Sequence, residues 1–247
     1  MGGVGKTELA RVLAKRLKGR FPDGQISFNL RGASDDDASK PATSSEVLQH
    51  VIWTFHPATQ PPEDLEQLKG LYNSVLEGKR VLLLMDNVVD AQQLAALVPP
   101  PDGCGLMVTT RHRFTLPGMV EIDLDTLSHE DARLLLLAIC PRIGEHADVL
   151  AQCCGCLPLA LRLGASALRT HPTLRVDDYL DELRVEQGRL ATLDVYKEWT
   201  NEERGIEASL AISYSLLDES LRRLWRMLSV FPGDFDEAGA GGRLTEK

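Results

Sequence analysis

Residues 1–7 read MGGVGKT, and this stretch decides how the rest of the chain is read. It matches the phosphate-binding loop G-x-x-x-x-G-K-[ST] from the pattern's second residue onward. Counting back from Gly5, Lys6 and Thr7, the first glycine would fall one place before Met1. Such a loop ordinarily follows a buried strand and opens a helix. The expectation is a motif entered part-way, with its first strand missing. Gly2, Gly3 and Gly5 free the backbone to take positive φ and to approach a phosphate chain, and N–H groups at the helix start aim at the anion. Lys6 would reach the outer phosphates and the Thr7 hydroxyl would hold Mg2+, with Val4 and Glu8 completing the binding stretch. Downstream, Leu9, Leu13, Leu17 and Phe21 recur every four residues, predicting a helix over 7–21 with one buried stripe. A glycine-rich start also fits a flexible remnant or a myristoylation signal, but that signal needs Ser or Thr where this chain has Lys6.

The chain has 247 residues, 43% of them apolar and 26% charged, enough for one or two domains with a substantial core. A net charge of -9 argues against general nucleic-acid affinity, which rests on neutralising phosphates. No apolar run reaches the ~18 residues of a membrane span and no secretory leader precedes the loop, so no membrane partner is expected. Five cysteines, three of them clustered, do not resemble a disulfide framework, and the expected compartment is cytoplasmic.

Strand and helix patterns alternate through the first half. Residues 25–30 (QISFNL) lie between turn residues and predict a strand. A polar stretch, 33–43, with Asp35, Asp36 and Asp37, reads as an exposed loop. Helices are expected over 45–55 and over 62–77, the latter with Leu65, Leu68, Tyr72, Val75 and Leu76 on one face and Gly78 as its stop. Residues 81–85 (VLLLM) lack alternation, the mark of a strand covered on both faces. A short helix over 90–98 ends at Pro99, and 106–110 and 119–124 are expected as further strands. Four strands separated by helices imply a parallel α/β sheet.

After Leu124 the pattern turns helical. Ser128 with Asp131 resembles a capping box, opening a helix to Ile139. Helices are expected over 146–155, 157–170 and 176–184, then a polar linker over 190–203. Helix returns over 206–231, broken at Leu217-Asp218 with Asp218 as a cap. The segment 237–247 reads as a frayed end.

Two further signals bear on chemistry. Leu82-Leu83-Leu84-Met85-Asp86 places a carboxylate at a strand end, where it can bind Mg2+ opposite Thr7. A strand-end Asp alone is unspecific; paired with Gly5-Lys6-Thr7 it marks a phosphate-loop NTPase. Asn87 follows, where a hydrolysing enzyme often carries a second acid. An amide orients water but is a poor base, so slow hydrolysis is expected. Asp90 would be a substitute base or simply a helix-start residue. Arg111 ends the strand Met107-Val108-Thr109-Thr110 and would sense a γ-phosphate; Arg113 and a plain surface arginine are the alternatives. Lys6, Asp86, Asn87 and Arg111 form the candidate catalytic set.

Together GGVGKT (2–7), RFPDGQISFNLRG (20–32), VLLLMDN (81–87), VTTR (108–111) and CGCLPLAL (154–161) resemble the NB-ARC family of STAND-class signalling ATPases. Such ATPases occur in apoptosome proteins, plant immune receptors and bacterial regulators. The resemblance implies a P-loop domain over 1–125, a helical domain over 126–195 and a partial winged-helix domain over 196–247, a chain truncated at both ends. It implies ADP or ATP with Mg2+ as ligands, and Pro158 against the adenine. Cys156 stands where the family usually has glycine. The winged-helix histidine that touches ADP in the family belongs to a motif not found before Lys247. The resemblance further implies sensor and effector modules flanking this core, and none is expected within these 247 residues.

Cys153, Cys154 and Cys156 contain a C-x-x-C spacing, but His146 and His171 form no second pair for zinc, so small buried helix residues are expected. Arg222, Arg223 and Arg226 with Trp225 would suit DNA contact or, interleaved with Leu221, Leu224, Met227 and Leu228, an amphipathic packing helix. Three functions follow. The first is a switch in which ADP holds the helical modules closed and ATP releases them for self-oligomerisation. The second is a turnover ATPase or kinase. The third is an inactive fragment of a switch.

Overall fold

The computed structural model describes residues 2–32, 40–192 and 200–228. The expected aspartate loop in large part, the frayed end and residue 1 lie outside them. The chain folds as two compact units, Gly5–Asp123 and Met1–Val4 with Leu124–Lys247.

The first unit is an α/β P-loop NTPase fold. Its strands β1 (Gly24–Asn29), β2 (Val81–Val88) and β3 (Gly105–Thr110) pair in the order β1-β2-β3, all parallel. Parallel strands need crossovers, and helices supply them: α2 (Ser44–Phe55) and α3 (Leu65–Leu76) link β1 to β2. Val81, Leu83 and Met85 join α2 and α3 in one core. Leu82 and Leu84, by alternation, serve the opposite face, where α1 (Lys6–Arg16) lies against β2 and β3. Burial on both faces explains the unbroken VLLLM.

Capping starts both crossover helices. Thr43 and Glu46 form a reciprocal capping box on α2, and the Asp64 side chain accepts from the Gln67 N–H on α3. Gln93 is a buried polar latch. Its Nε2 donates to Ala42 O at 2.8 Å, and its Oε1 accepts the Val89 N–H at 2.8 Å.

Four expectations change here. The predicted stripe of α1 is not its buried face: Leu9 is 40% exposed, while Ala10 and Ala14 are buried. Alanines let the helix axis approach the sheet closely, a pattern that leucine spacing hides. Leu65 is likewise exposed at the start of α3. Residues 119–124 form no strand, and Val120 and Ile122 are 84% and 77% exposed. Strand identity needs a neighbouring ladder, and no described strand pairs with this segment. The expected helix over 90–98 is one 3-10 turn, Gln92–Leu94, capped by Asp90 and soon met by the prolines.

The second unit is all-helical, with α4 (His129–Ile139), α5 (Ala147–Cys153), α6 (Pro158–Thr170), α7 (Val176–Thr192), α8 (Asn201–Ser215) and α9 (Glu219–Leu228). Leu136, Ile143, Leu150, Leu157, Leu161, Leu168, Tyr179 and Leu183 build its core, and Val4 belongs to it. Ser128 caps α4 as expected, accepting the Asp131 N–H. Gly164 admits the Tyr179 ring: an added Cβ would lie 3.1 Å from its hydroxyl. The Arg142 guanidinium ties off the end of α6, donating to the carbonyls of Leu168, His171 and Leu174.

The expected linker over 190–203 is mostly helix at its described ends, since α7 runs to Thr192 and α8 starts at Asn201. Leu190 is 1% exposed, and that burial extends α7 beyond its apolar pattern. Asp218 caps α9 through the Leu221 N–H at 2.9 Å. The apolar face of α9 is not packed among the described residues: Leu221, Leu224 and Trp225 are 46%, 41% and 55% exposed.

Candidate functional site

In the sheet unit the carboxyl ends of β2 and β3 and the first turn of α1 converge on Asp86. Thr7 Oγ1 donates to Asp86 Oδ1 at 2.8 Å. Thr109 Oγ1 donates to the same oxygen and accepts the Asn87 N–H at 3.0 Å. One carboxylate oxygen is thus held by two hydroxyls on different elements. The sequence reading paired Thr7 with Asp86 and missed Thr109. The signal for it was a hydroxyl at the end of a predicted strand, two residues ahead of an arginine.

The backbone after Asp86 is unusual. The pairing of β2 with β3 slips between Met85 and Val88, and Asn87 takes φ 59°. Asparagine tolerates this left-handed conformation better than most residues, a second reason for an amide here. Asn87 O accepts the Gly32 N–H at 2.8 Å. A Cβ on Gly32 would lie 2.3 Å from that oxygen, so glycine is required by close backbone approach. Asp90 is occupied as a cap, accepting from the Gln92 and Gln93 N–H groups.

Lys6 is half-buried at the start of α1. Burial, and then the Arg111 guanidinium, hold its ammonium below the usual lysine range, while the Asp86 carboxylate pulls the other way. Lys6 thus feels the repulsion of the Arg111 charge and the attraction of the Asp86 charge. An arriving anion relieves that repulsion, so the arrangement favours a multiply charged one. Arg113, the alternative to Arg111, instead pairs with Asp123 at 2.7 Å on the surface.

Other predicted site residues are placed as follows. Gly5 precedes α1 with φ 98°. Glu8 is exposed and pairs with Arg11 at 2.9 Å, away from the carboxylate cluster in its chemistry. Gly2 is half-buried. Within the helical unit, Gly3 O accepts the Leu159 N–H at 3.2 Å, one residue beyond Pro158, the first residue of α6. Gly3 has φ 74°, and an added Cβ would meet Ile206 Cδ1 at 2.9 Å. Val4 is buried in that core.

The cysteines also differ from expectation. All five are free, and Cys154 is buried as expected, but Cys156 lies outside any helix at φ 53° with its thiol toward His129. Among the described residues no cluster of three His, Cys, Asp or Glu side chains is arranged for a metal ion, and no helix is long and apolar enough to cross a membrane.

The family profile described as NB-ARC domain matches residues 1–139. The chain belongs to the NB-ARC family. Regulatory protein AfsR of Streptomyces coelicolor is 36% identical over 256 residues, covering 99% of this chain and 24% of that protein. Its Streptomyces griseus namesake is 34% identical over 252 residues, covering 99% and 25%. Disease resistance protein RML1B of Arabidopsis thaliana is 27% identical over 250 residues, covering 93% and 22%. The chain spans about a quarter of the length of these curated relatives. NB-ARC membership agrees with the parallel sheet and with the loop and strand motifs that were read from sequence.

Proposed function

We propose that this chain is the nucleotide-operated core of an NB-ARC regulator, binding ADP or ATP with Mg2+ and turning over slowly. The observation that carries the reading is the Thr7–Asp86 contact at 2.8 Å, which joins the first turn of α1 to the acidic end of β2 next to Lys6. Gly5 and the start of α1 would offer N–H groups to phosphate, and Lys6 and Arg111 would bind its outer charges. Thr7 and Asp86 are an alcohol and a carboxylate, the hard oxygen donors that Mg2+ takes, and they already touch. The ion would neutralise phosphate charge when bound.

Asn87 supports slow hydrolysis, since its side chain is a poor base. Pro158, in the helical unit, would meet the adenine, and residues 196–247 would begin a winged-helix domain. The domain limits proposed are 1–125, 126–195 and 196–247. Gly3 and Val4 pack in the helical unit, and Gly5, Lys6 and Thr7 fall in the sheet unit. A switch of this kind requires that the ligand have different affinities for the closed and open states. By analogy with the regulatory and disease-resistance relatives, the output would be signalling, through self-oligomerisation, in the cytoplasm. Sensor and effector domains are the expected partners, with no direct part for nucleic acid or membrane.

Equilibrium binding of fluorescent ADP and ATP, with Mg2+, to the chain and to Lys6→Ala tests the reading. A loss of about tenfold or more in the variant is expected, the order of one charge-assisted contact. Equal affinity of both proteins would overturn it. Steady phosphate release near the enzyme median of ~10 s-1 would assign a turnover ATPase instead.

A further inference from the structure

We propose that Cys156 is a hydroperoxide-reactive thiol, with His129 as its base and Asp148 as the residue that positions His129. The three side chains come from different parts of the helical unit. Cys156 lies in the turn between α5 and α6, His129 is the first residue of α4, and Asp148 is in α5. Cys156 Sγ is 3.7 Å from His129 Nδ1, and His129 Nε2 is 3.5 Å from Asp148 Oδ1. A carboxylate beside Nε2 favours the tautomer with its proton there, which leaves Nδ1 as an acceptor facing the thiol. Arg133 Nε also approaches Asp148 Oδ1, at 3.7 Å.

The backbone holds the thiol in place. Cys156 N–H donates to Ala151 O at 3.0 Å, and Cys156 O accepts the Leu127 N–H at 3.0 Å. With both peptide groups tied, the residue is kept at φ 53°, a conformation a side chain other than that of Gly or Asn seldom adopts. The side chain also packs against the core of the helical unit, and the tied backbone fixes the direction of its thiol. The side chain is partly exposed, unlike Cys140 and Cys154, so a small oxidant can reach it. Burial pushes the Cys156 thiol up from its ordinary value, against which a base within reach would act.

The step balances with a hydroperoxide as oxidant. His129 Nδ1 takes the Sγ proton as the sulfur attacks the terminal peroxide oxygen. The S–O bond forms, the O–O bond breaks, and sulfur is oxidised by two electrons. The departing oxygen collects the proton from His129 and leaves as water, or as an alcohol from an alkyl hydroperoxide. Cys156 remains as a sulfenic acid.

The test treats the full chain with hydrogen peroxide, traps sulfenic acid with dimedone, and maps the labelled peptide by mass. Cys153 and Cys104, also partly exposed, are internal controls. Cys156 is expected to label fastest. His129→Gln should slow it by about tenfold or more, a modest share of what a general base supplies. Asp148→Asn should slow it less, and Arg133→Gln least. In concentrated urea the wild-type and His129→Gln chains should label all thiols alike, which separates positioning from intrinsic reactivity. Circular dichroism checks that each variant is folded, and His129→Asn stands in if the Gln variant is not. Labelling of Cys153 or Cys104 as fast as Cys156, or an unchanged Cys156 rate in a folded His129 variant, would overturn the proposal.

Discussion

Replacing Thr109 by valine removes one hydroxyl and almost nothing else, and the consequence can be worked out bond by bond. Thr109 is 7% exposed, donates to Asp86 and accepts the Asn87 N–H at 3.0 Å. A hydrogen bond to an ionised carboxylate is worth about 1.5–3 kcal/mol, and depriving a part-buried amide of an acceptor costs about 1–3 kcal/mol. Valine offsets some of this, because it suits a strand and removes a buried hydroxyl, by about 1 kcal/mol. A net loss of about 1.5–5 kcal/mol remains, at least about a tenfold rise in local opening, since 1.4 kcal/mol is a factor of ten. Amide hydrogen exchange on peptides spanning 81–88 and 105–110 reads that opening directly. Thr109→Ser keeps the hydroxyl and deletes one methyl, so it should accelerate exchange only about fivefold, from a cost of about 0.8–1 kcal/mol. If the serine and valine variants exchange alike, or valine leaves exchange unchanged, the hydroxyl bridge is not what holds the two strand ends.

Gly32→Ala should be disproportionately costly for a single methyl, about 1–3 kcal/mol in thermal or urea unfolding, because its Cβ would sit 2.3 Å from Asn87 O and 2.9 Å from Val89 Cγ2. A wild-type midpoint would show that the β1 exit does not touch the Asp86 strand end as described. Acid should weaken the start of α2 through Glu46. The Thr43 backbone N–H holds that carboxylate below its ordinary value near 4.5, outweighing desolvation, which acts in the opposite sense. A folded-state value below the unfolded one means the stabilisation is complete above about pH 4.5 and is lost as pH falls through the lower, folded value. Glu46→Gln keeps a capping partner without a titrating charge, so its unfolding midpoint should fall less steeply below pH 4.5. Identical slopes for the two proteins would refute the assignment.

Much of the architecture was legible in residue patterns, and the exceptions share a cause. Patterns report a residue's own preference, as in VLLLM, whose lack of alternation marked a strand buried on both faces, or Ser128 and Asp218, whose side chains cap the next turn. They fail where the outcome depends on a neighbour distant in sequence. Residues 119–124 have strand composition yet no adjacent ladder. Leu9 has the right spacing, yet α1 turns Ala10 and Ala14 inward because small side chains permit the closer approach. Gln93 reads as an ordinary polar residue until Ala42 and Val89 are placed beside it.

The site divides along the same line. By itself the sequence singled out the candidate groups Lys6, Thr7, Asp86 and Arg111, since loop spacing and strand-end position are local properties of the chain. Only the tertiary structure decided that Thr109 shares Asp86 with Thr7, that Arg113 is taken up by Asp123, and that Cys156 meets His129. Each of those pairings joins residues 10 or more positions apart in the chain. A hydrogen bond or charge contact of this kind exists only once the crossovers have closed, and no local preference announces it.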